Sequence, residues 1–206
     1  MGRYLIPELL RRGHDVRALV RPGSERKLPA GCTAVLGNAL KKDSYAQQIA
    51  PAETFVQLVG VAHPNPSKAA EFRAVDLQSA RDAVSAAQDA GVRHFIYVSV
   101  AQPAPVMKAY VAVRAECEEI IRASGLSSTI VRPWYVLGPG RWWPLVLLPM
   151  YWIAERIPAT RDGARRLGLV TIGQMVAALA TAVDSPPDGV RIVDVPAIRA
   201  ARYFAR

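Results

Sequence analysis

Three side chains in this 206-residue chain have the types and spacing for proton transfer: Ser99, Tyr110 and Arg114. A phenol exchanges protons near neutral pH only when a nearby cation lowers its pKa. Arg114 follows Tyr110 at the i,i+4 spacing that puts a cation on the same helix face as the phenol. Ser99 lies within the apolar run that begins at His94, where a hydroxyl can hold a substrate oxygen. On spacing alone, a strand-end serine and a half-buried tyrosine explain the same residues. Metal chemistry is not expected, because His14, His63 and His94 are scattered and show no ligand spacing. Cys32 and Cys117 make no metal pair and no disulfide framework, which suits a reducing cytoplasm.

The elements that would carry these residues lie between Val92 and Gly140. The apolar run from His94 reads as a strand, and a Pro-rich loop follows it. Tyr110 and Arg114 then fall on a helix, Ser128 to Val131 reads as a second strand, and a Gly-Pro-Gly turn closes the segment. Strand, helix and strand of these lengths make a βαβ unit, and ligands of open parallel sheets bind at the C-terminal ends of the strands.

The rest of the chain alternates in the same way. Gly2 leads into an amphipathic helix that ends at Gly13, and a strand follows around Val16 to Val20. Thr33 to Leu36 reads as a strand, Asp43 to Ile49 as a short helix, and Glu53 to Val61 as a buried strand. Phe72 to Ala90 is a long helix by its apolar spacing. Leu169 to Ile172 and Val190 to Val195 are further strands, with a helix from Gly173 to Val183 between them. The expected class is α/β, a doubly wound, mostly parallel sheet. In that pattern a strand should precede the first helix. The sequence is therefore expected to start inside the fold, without that strand and without most of the glycine turn before the helix.

The formal charge of +9 suggests nucleic acid, but the basic residues are spread in ones and twos. The exception is Arg161, Arg165 and Arg166. Nucleic-acid binding is marked by a patch or stripe and not by a total, so none is expected. Anionic ligands or membrane surfaces fit the charge as well. The N-terminus lacks the apolar core of a secretion leader. The run Trp142 to Ala154 is too short to span a bilayer and carries Pro144 and Pro149. These features point to a cytoplasmic protein, with peripheral membrane contact through Trp142 to Ala154 as an open alternative.

Taken together, the segments resemble the atypical and extended short-chain dehydrogenase/reductase family, especially its NmrA-like and complex I accessory-subunit-like branches. HFIYVSV resembles the strand that ends in the family's serine, and YVAVRAECEEIIRASG resembles the YxxxKxxxE helix. STIVRPWYVLGPG resembles the next strand with its RP and GPG signature, and VQLVGVAHP resembles the strand and loop beneath the nicotinamide. The resemblance covers residues 2 to 140 closely and 169 to 195 more loosely.

It implies a Rossmann-like NAD(P)-binding domain over residues 1–133, truncated at its start, and a small substrate-side region over 134–206. It also implies that Ser99 and Tyr110 are catalytic, with Arg114 in the place of the family's lysine. Gly2 would then belong to the phosphate-binding turn, Asn38 and Ala39 would contact the adenine, and Val59 and Gly60 would lie under the cofactor. Pro133 would lie beside the nicotinamide. Arg21, at the end of a strand where NAD enzymes place an acid, favours NADP, with NAD remaining open.

The tryptophans near the GPG turn imply a large apolar substrate such as an isoprenoid, quinone or lipid. A subunit interface, and so a homo-oligomer, would use the same surface. The expected function is an NAD(P)-dependent oxidoreductase or epimerase. The alternative is a non-catalytic NADP(H)-binding sensor or complex-stabilising module, because arginine for lysine is not a conservative change.

Overall fold

The computed structural model describes residues 1–139, 146, 148–154 and 156–201. Its elements run in chain order as α1 (Gly2–Arg11), β1 (Arg17–Val20), β2 (Thr33–Leu36) and β3 (Thr54–Gln57). A continuous helical stretch follows, from α2 (Ala69–Glu71) through a π-helical turn (Phe72–Leu77) into α3 (Gln78–Asp89). Next come β4 (His94–Val98), α4 (Lys108–Ala123), β5 (Ser127–Val131) and β6 (Tyr135–Leu137). The chain continues with α5 (Leu148–Ala154), α6 (Pro158–Arg166), β7 (Leu169–Thr171), α7 (Ile172–Asp184), β8 (Val190–Val193) and α8 (Val195–Ala200).

Strands β3, β4, β5 and β8 form a parallel sheet in the order β3-β4-β5-β8. Helices cover both of its faces because side chains alternate across each strand. Phe95 and Tyr97 of β4 point into a core with Phe72, Val113 and Ile121 of the α3 and α4 side. Ile96, between them, points into a second core with Leu5 and Leu9 of α1, Met175 and Leu179 of α7 and Ile198 of α8. This is the doubly wound α/β arrangement. β1 and β2 pair in parallel as a separate sheet, and neither is hydrogen-bonded to β3. β6 and β7 make a third parallel pair.

Several details depart from the sequence reading, and the strand read over Glu53 to Val61 is confined to Thr54–Gln57. Asp43 to Ile49 does not form one helix but two 3-10 turns, Lys42–Ser44 and Ala46–Gln48. Lys42 instead reaches across to Ser85 of α3, and Tyr45 and Ile49 enter the core, so tertiary packing overrides the local preference. The long helix starts earlier than Phe72 and carries the π turn, which buries Phe72, Asp76 and Leu77 together. Residues beyond 134 also contribute β8 to the main sheet. Of the run Trp142 to Ala154, residues 142–145 and 147 lie outside the described residues.

Candidate active site

The parallel topology brings every candidate residue except those on α4 to one edge, the C-terminal ends of the strands. Arg21 follows β1, Asn38 and Ala39 follow β2, Val59 and Gly60 follow β3, Ser99 follows β4, and Pro133 follows β5. Gly2 opens α1 at the same edge, where a Cβ built on it would face Leu58 at 3.9 Å and meet nothing nearer. The backbone at Gly2 is therefore open to close approach, and a helix N-terminus with free N–H groups favours anions. Arg21 is exposed and makes no ion pair among the described residues. Asn38 accepts from Leu40 N–H at 3.0 Å through its side-chain oxygen, which fixes the amide while its N–H groups stay available for a ligand. Pro133 is buried and its carbonyl accepts from Ala101 N–H at 2.8 Å, which ties the loop after β4 to the end of β5.

Tyr110 and Arg114 meet on α4 as their spacing requires. The guanidinium carbon lies 5.1 Å from the Tyr110 ring centre, and the Phe72 ring packs tilted against that ring with centres 5.0 Å apart. Arg114 is almost fully buried, and its two terminal nitrogens bond inside the protein while its buried Nε has no hydrogen-bond partner. Nη1 donates to the Tyr97 hydroxyl at 3.0 Å and to the Val98 carbonyl at 2.8 Å. Nη2 pairs with Asp76 Oδ1 at 2.5 Å, and Asp76 Oδ2 accepts from Val61 N–H at 3.0 Å. Gly60 makes room for this pair. A Cβ there would collide with Arg114 Nη2 and lie 3.0 Å from Asp76 Oδ1. The glycine beneath the expected cofactor position thus serves Arg114.

Burial raises the Tyr110 phenol above its ordinary pKa, and Arg114 only partly opposes the rise. The phenol is therefore protonated at neutral pH. Burial also pushes the Asp76 carboxyl up, against the pull of Arg114. Arg114 itself is held above its usual range, because Tyr97, Tyr110 and Asp76 outweigh the effect of its burial.

Ser99 belongs to a different network. Its hydroxyl donates to Glu118 Oε1 at 2.6 Å, and it makes no hydrogen bond to Tyr110 among the described residues. Glu118 is 1% exposed and also accepts from Gln102 at 2.7 Å. Arg132 grips it with Nε at 3.0 Å and with Nη2, and Arg122 adds a contact at 3.2 Å. Burial would raise this carboxyl, but the bonds from Arg132 and Ser99 outweigh it and hold the pKa below the ordinary range. A serine has one hydroxyl proton, and here it is committed to a carboxylate. Ser99 can therefore only accept from a ligand. Neither Asp76 nor Glu118 stood out in the sequence. Glu118 was visible only as the last position of the YxxxKxxxE-like pattern, and Asp76 left no local sign.

No group of residues able to hold a metal ion occurs among the described residues.

Residues 1–139 match the family model described as NAD(P)H-binding, and the chain belongs to that family. It is 31% identical over 163 residues to the ceramide reductase of Caulobacter vibrioides, covering 77% of this chain and 49% of that protein. It is 32% identical over 129 residues to the uncharacterized sugar epimerase YhfK of Bacillus subtilis, covering 58% of this chain and 59% of the relative. The chain thus spans about half the length of the first of these relatives. The NAD complex of UDP-glucose 4-epimerase from Thermus thermophilus superposes with a TM-score of 0.68 at 18% identity, over 96% of this chain and 77% of that one. This likeness shows the Rossmann-like fold.

Proposed function

We propose that the chain is an NADP(H)-dependent reductase-type protein in which Tyr110 gives the proton. The observation that carries this reading is Tyr110 kept neutral by burial beneath the fixed cation of Arg114. NADPH bound along the C-terminal edge would supply a hydride. Gly2 would face its phosphates, Arg21 the 2′-phosphate, Asn38 and Ala39 the adenine, and Val59, Gly60 and Pro133 the nicotinamide side. Tyr110 would pass its proton to the oxygen of the carbonyl being reduced. Arg114 would stabilise the phenolate left behind, which a raised guanidinium pKa suits. The reverse direction needs the phenol as a base, and its raised pKa disfavours that. Ser99 would accept a hydrogen bond from the ligand and would not donate one.

The substrate we infer is apolar. Trp152, Ile153 and Ile157 are large apolar side chains left exposed. Two similar proteins have names that fit, the ceramide reductase and a farnesyl dihydroquinoline-oxide ketoreductase of Stigmatella aurantiaca, the latter at 22% identity. The same exposed residues, with Arg156 stacked 3.5 Å over Trp152, would suit peripheral contact with a membrane or a second copy of the chain.

The second reading is a non-catalytic NADP(H)-binding module, and one observation favours it. The Arg114 terminal nitrogens all bond to protein groups, which leaves only the buried Nε for a nicotinamide ribose. NADPH oxidation with a panel of long-chain ketones and quinones separates the two readings. Reduction that falls by about 10²–10⁴-fold in Tyr110→Phe, with NADPH affinity unchanged, supports the reductase. NADPH binding without turnover of any ketone or quinone supports the module.

A further inference from the structure

The C-terminal edge carries a second recognition feature, away from the Tyr110–Arg114 pair. A cavity of about 330 Å³ lies between α6 and the ends of β4, β5 and β8. Its polar lining is Gln102, Arg132, Asp162, Arg165, Arg166 and Asp194. From the geometry we infer that this cavity binds a phosphoryl group, carried by the head of the substrate. The role as a substrate subsite rests on the reductase reading; the binding itself does not.

Three guanidinium groups from two separate elements converge here, and the two carboxylates do not neutralise them by contact. Asp194 caps α8 by accepting from Ala197 N–H at 3.1 Å. Asp162 makes no ion pair with Arg165 or Arg166 among the described residues, although all three share α6. Arg166 is steadied by donating from Nε to the Pro103 carbonyl at 3.2 Å, which leaves its terminal nitrogens for a ligand. Arg132 is the anchor. Glu118 takes its Nε and Nη2, so Nη1 is held in place without a hydrogen bond of its own among the described residues. Because Arg122 also pairs with Glu118, one carboxylate serves two guanidinium groups and the local balance stays positive. A fork already fixed by a buried partner loses little freedom on binding, and its planar shape matches phosphate oxygens.

A second hollow of about 470 Å³ shares Gln102 and Arg132 with the first. It runs along Pro103 and Lys108 to Val111, the neighbour of Tyr110 on α4. A ligand with its phosphoryl group on Arg132, Arg165 and Arg166 would therefore extend its body toward the start of α4.

The test is calorimetric titration of the whole chain with inorganic pyrophosphate. It is repeated on Arg165→Glu/Arg166→Glu, on the milder Arg165→Gln/Arg166→Gln, and on Arg81→Glu/Arg93→Glu as a matched change of charge elsewhere. Arg21→Glu reports on the cofactor side, and thermal melting checks that each variant folds. The expected result is saturable binding that both Arg165/Arg166 variants weaken by about tenfold or more. The Arg81/Arg93 and Arg21 variants should keep it. Binding that survives the Arg165/Arg166 changes, or that is lost only in Arg21→Glu, overturns the inference, as does the absence of binding by the parent chain. NADPH titration of the Arg165/Arg166 variants keeps the two readings apart, because loss of the phosphoryl site should leave NADPH affinity unchanged.

Discussion

Tyr110 and Arg114 were legible because an i,i+4 spacing on a helix is a local geometric fact. Their partners were not, since Asp76 reaches Arg114 from the π turn and Gly60 approaches it from the end of β3. The same limit applied to Ser99. Its position at a strand end was readable, but its proton goes to Glu118, a contact across 19 positions of sequence. Two predictions belong at this scale. Gly60→Ala should lower unfolding stability by about 1–3 kcal/mol, because its Cβ must displace a buried ion pair; urea denaturation measures this, and a neutral result would mean that Arg114 can move aside. Glu118→Gln should cost about 1–3 kcal/mol near neutral pH. A carboxyl whose folded pKa is depressed stabilises above its unfolded value, about 4.3, and loses that contribution as pH falls through the folded pKa. The gap between parent and Glu118→Gln should therefore close under acid conditions. A gap that stayed constant with pH would show that the charge on Glu118 contributes nothing.

Element by element, the long periodic helices and most of the short strands were readable, Thr33–Leu36 to the residue, and the weakly patterned Asp43 to Ile49 was not. The helix Ile172–Asp184 came within a residue at each end of its sequence reading, helped by a Thr171/Gln174 capping box. The segment from Asp43 to Ile49 failed because two short turns that bury Tyr45 and Ile49 outweigh weak helical preference. Strand β4 carries a prediction of its own. His94 is buried with Nε2 3.0 Å from Thr129 Oγ1, and burial with nearby Arg191 lowers its pKa to about 4. The unfolded imidazole titrates near 6.5, so between that value and about 4 the unfolded chain binds the extra proton. Stability should fall as pH drops through that window, and His94→Gln should flatten the slope. Equal slopes in parent and variant would place the acid sensitivity elsewhere.

For the whole molecule, the alternation of strands and helices was enough to give a doubly wound sheet, because a parallel sheet with both faces covered follows from that order. What the order did not give is the division into β3-β4-β5-β8 and a separate β1-β2 pair. Pairing depends on contacts between distant segments, which no local pattern records. The division matters for function. Arg21 and Asn38 sit on one sheet, Ser99 and Pro133 on the other, and a dinucleotide lying along the C-terminal edge would bridge both.

The most direct measurement is therefore a fluorescence titration of the chain with NADPH and NADH, in parallel with Arg21→Glu. Saturable binding is expected, tighter for NADPH than for NADH. The Arg21→Glu change should weaken NADPH by about tenfold, about 1.4 kcal/mol, and leave NADH nearly unchanged. No binding of either nucleotide by the parent chain would contradict the account at its centre and leave the C-terminal edge as fold alone.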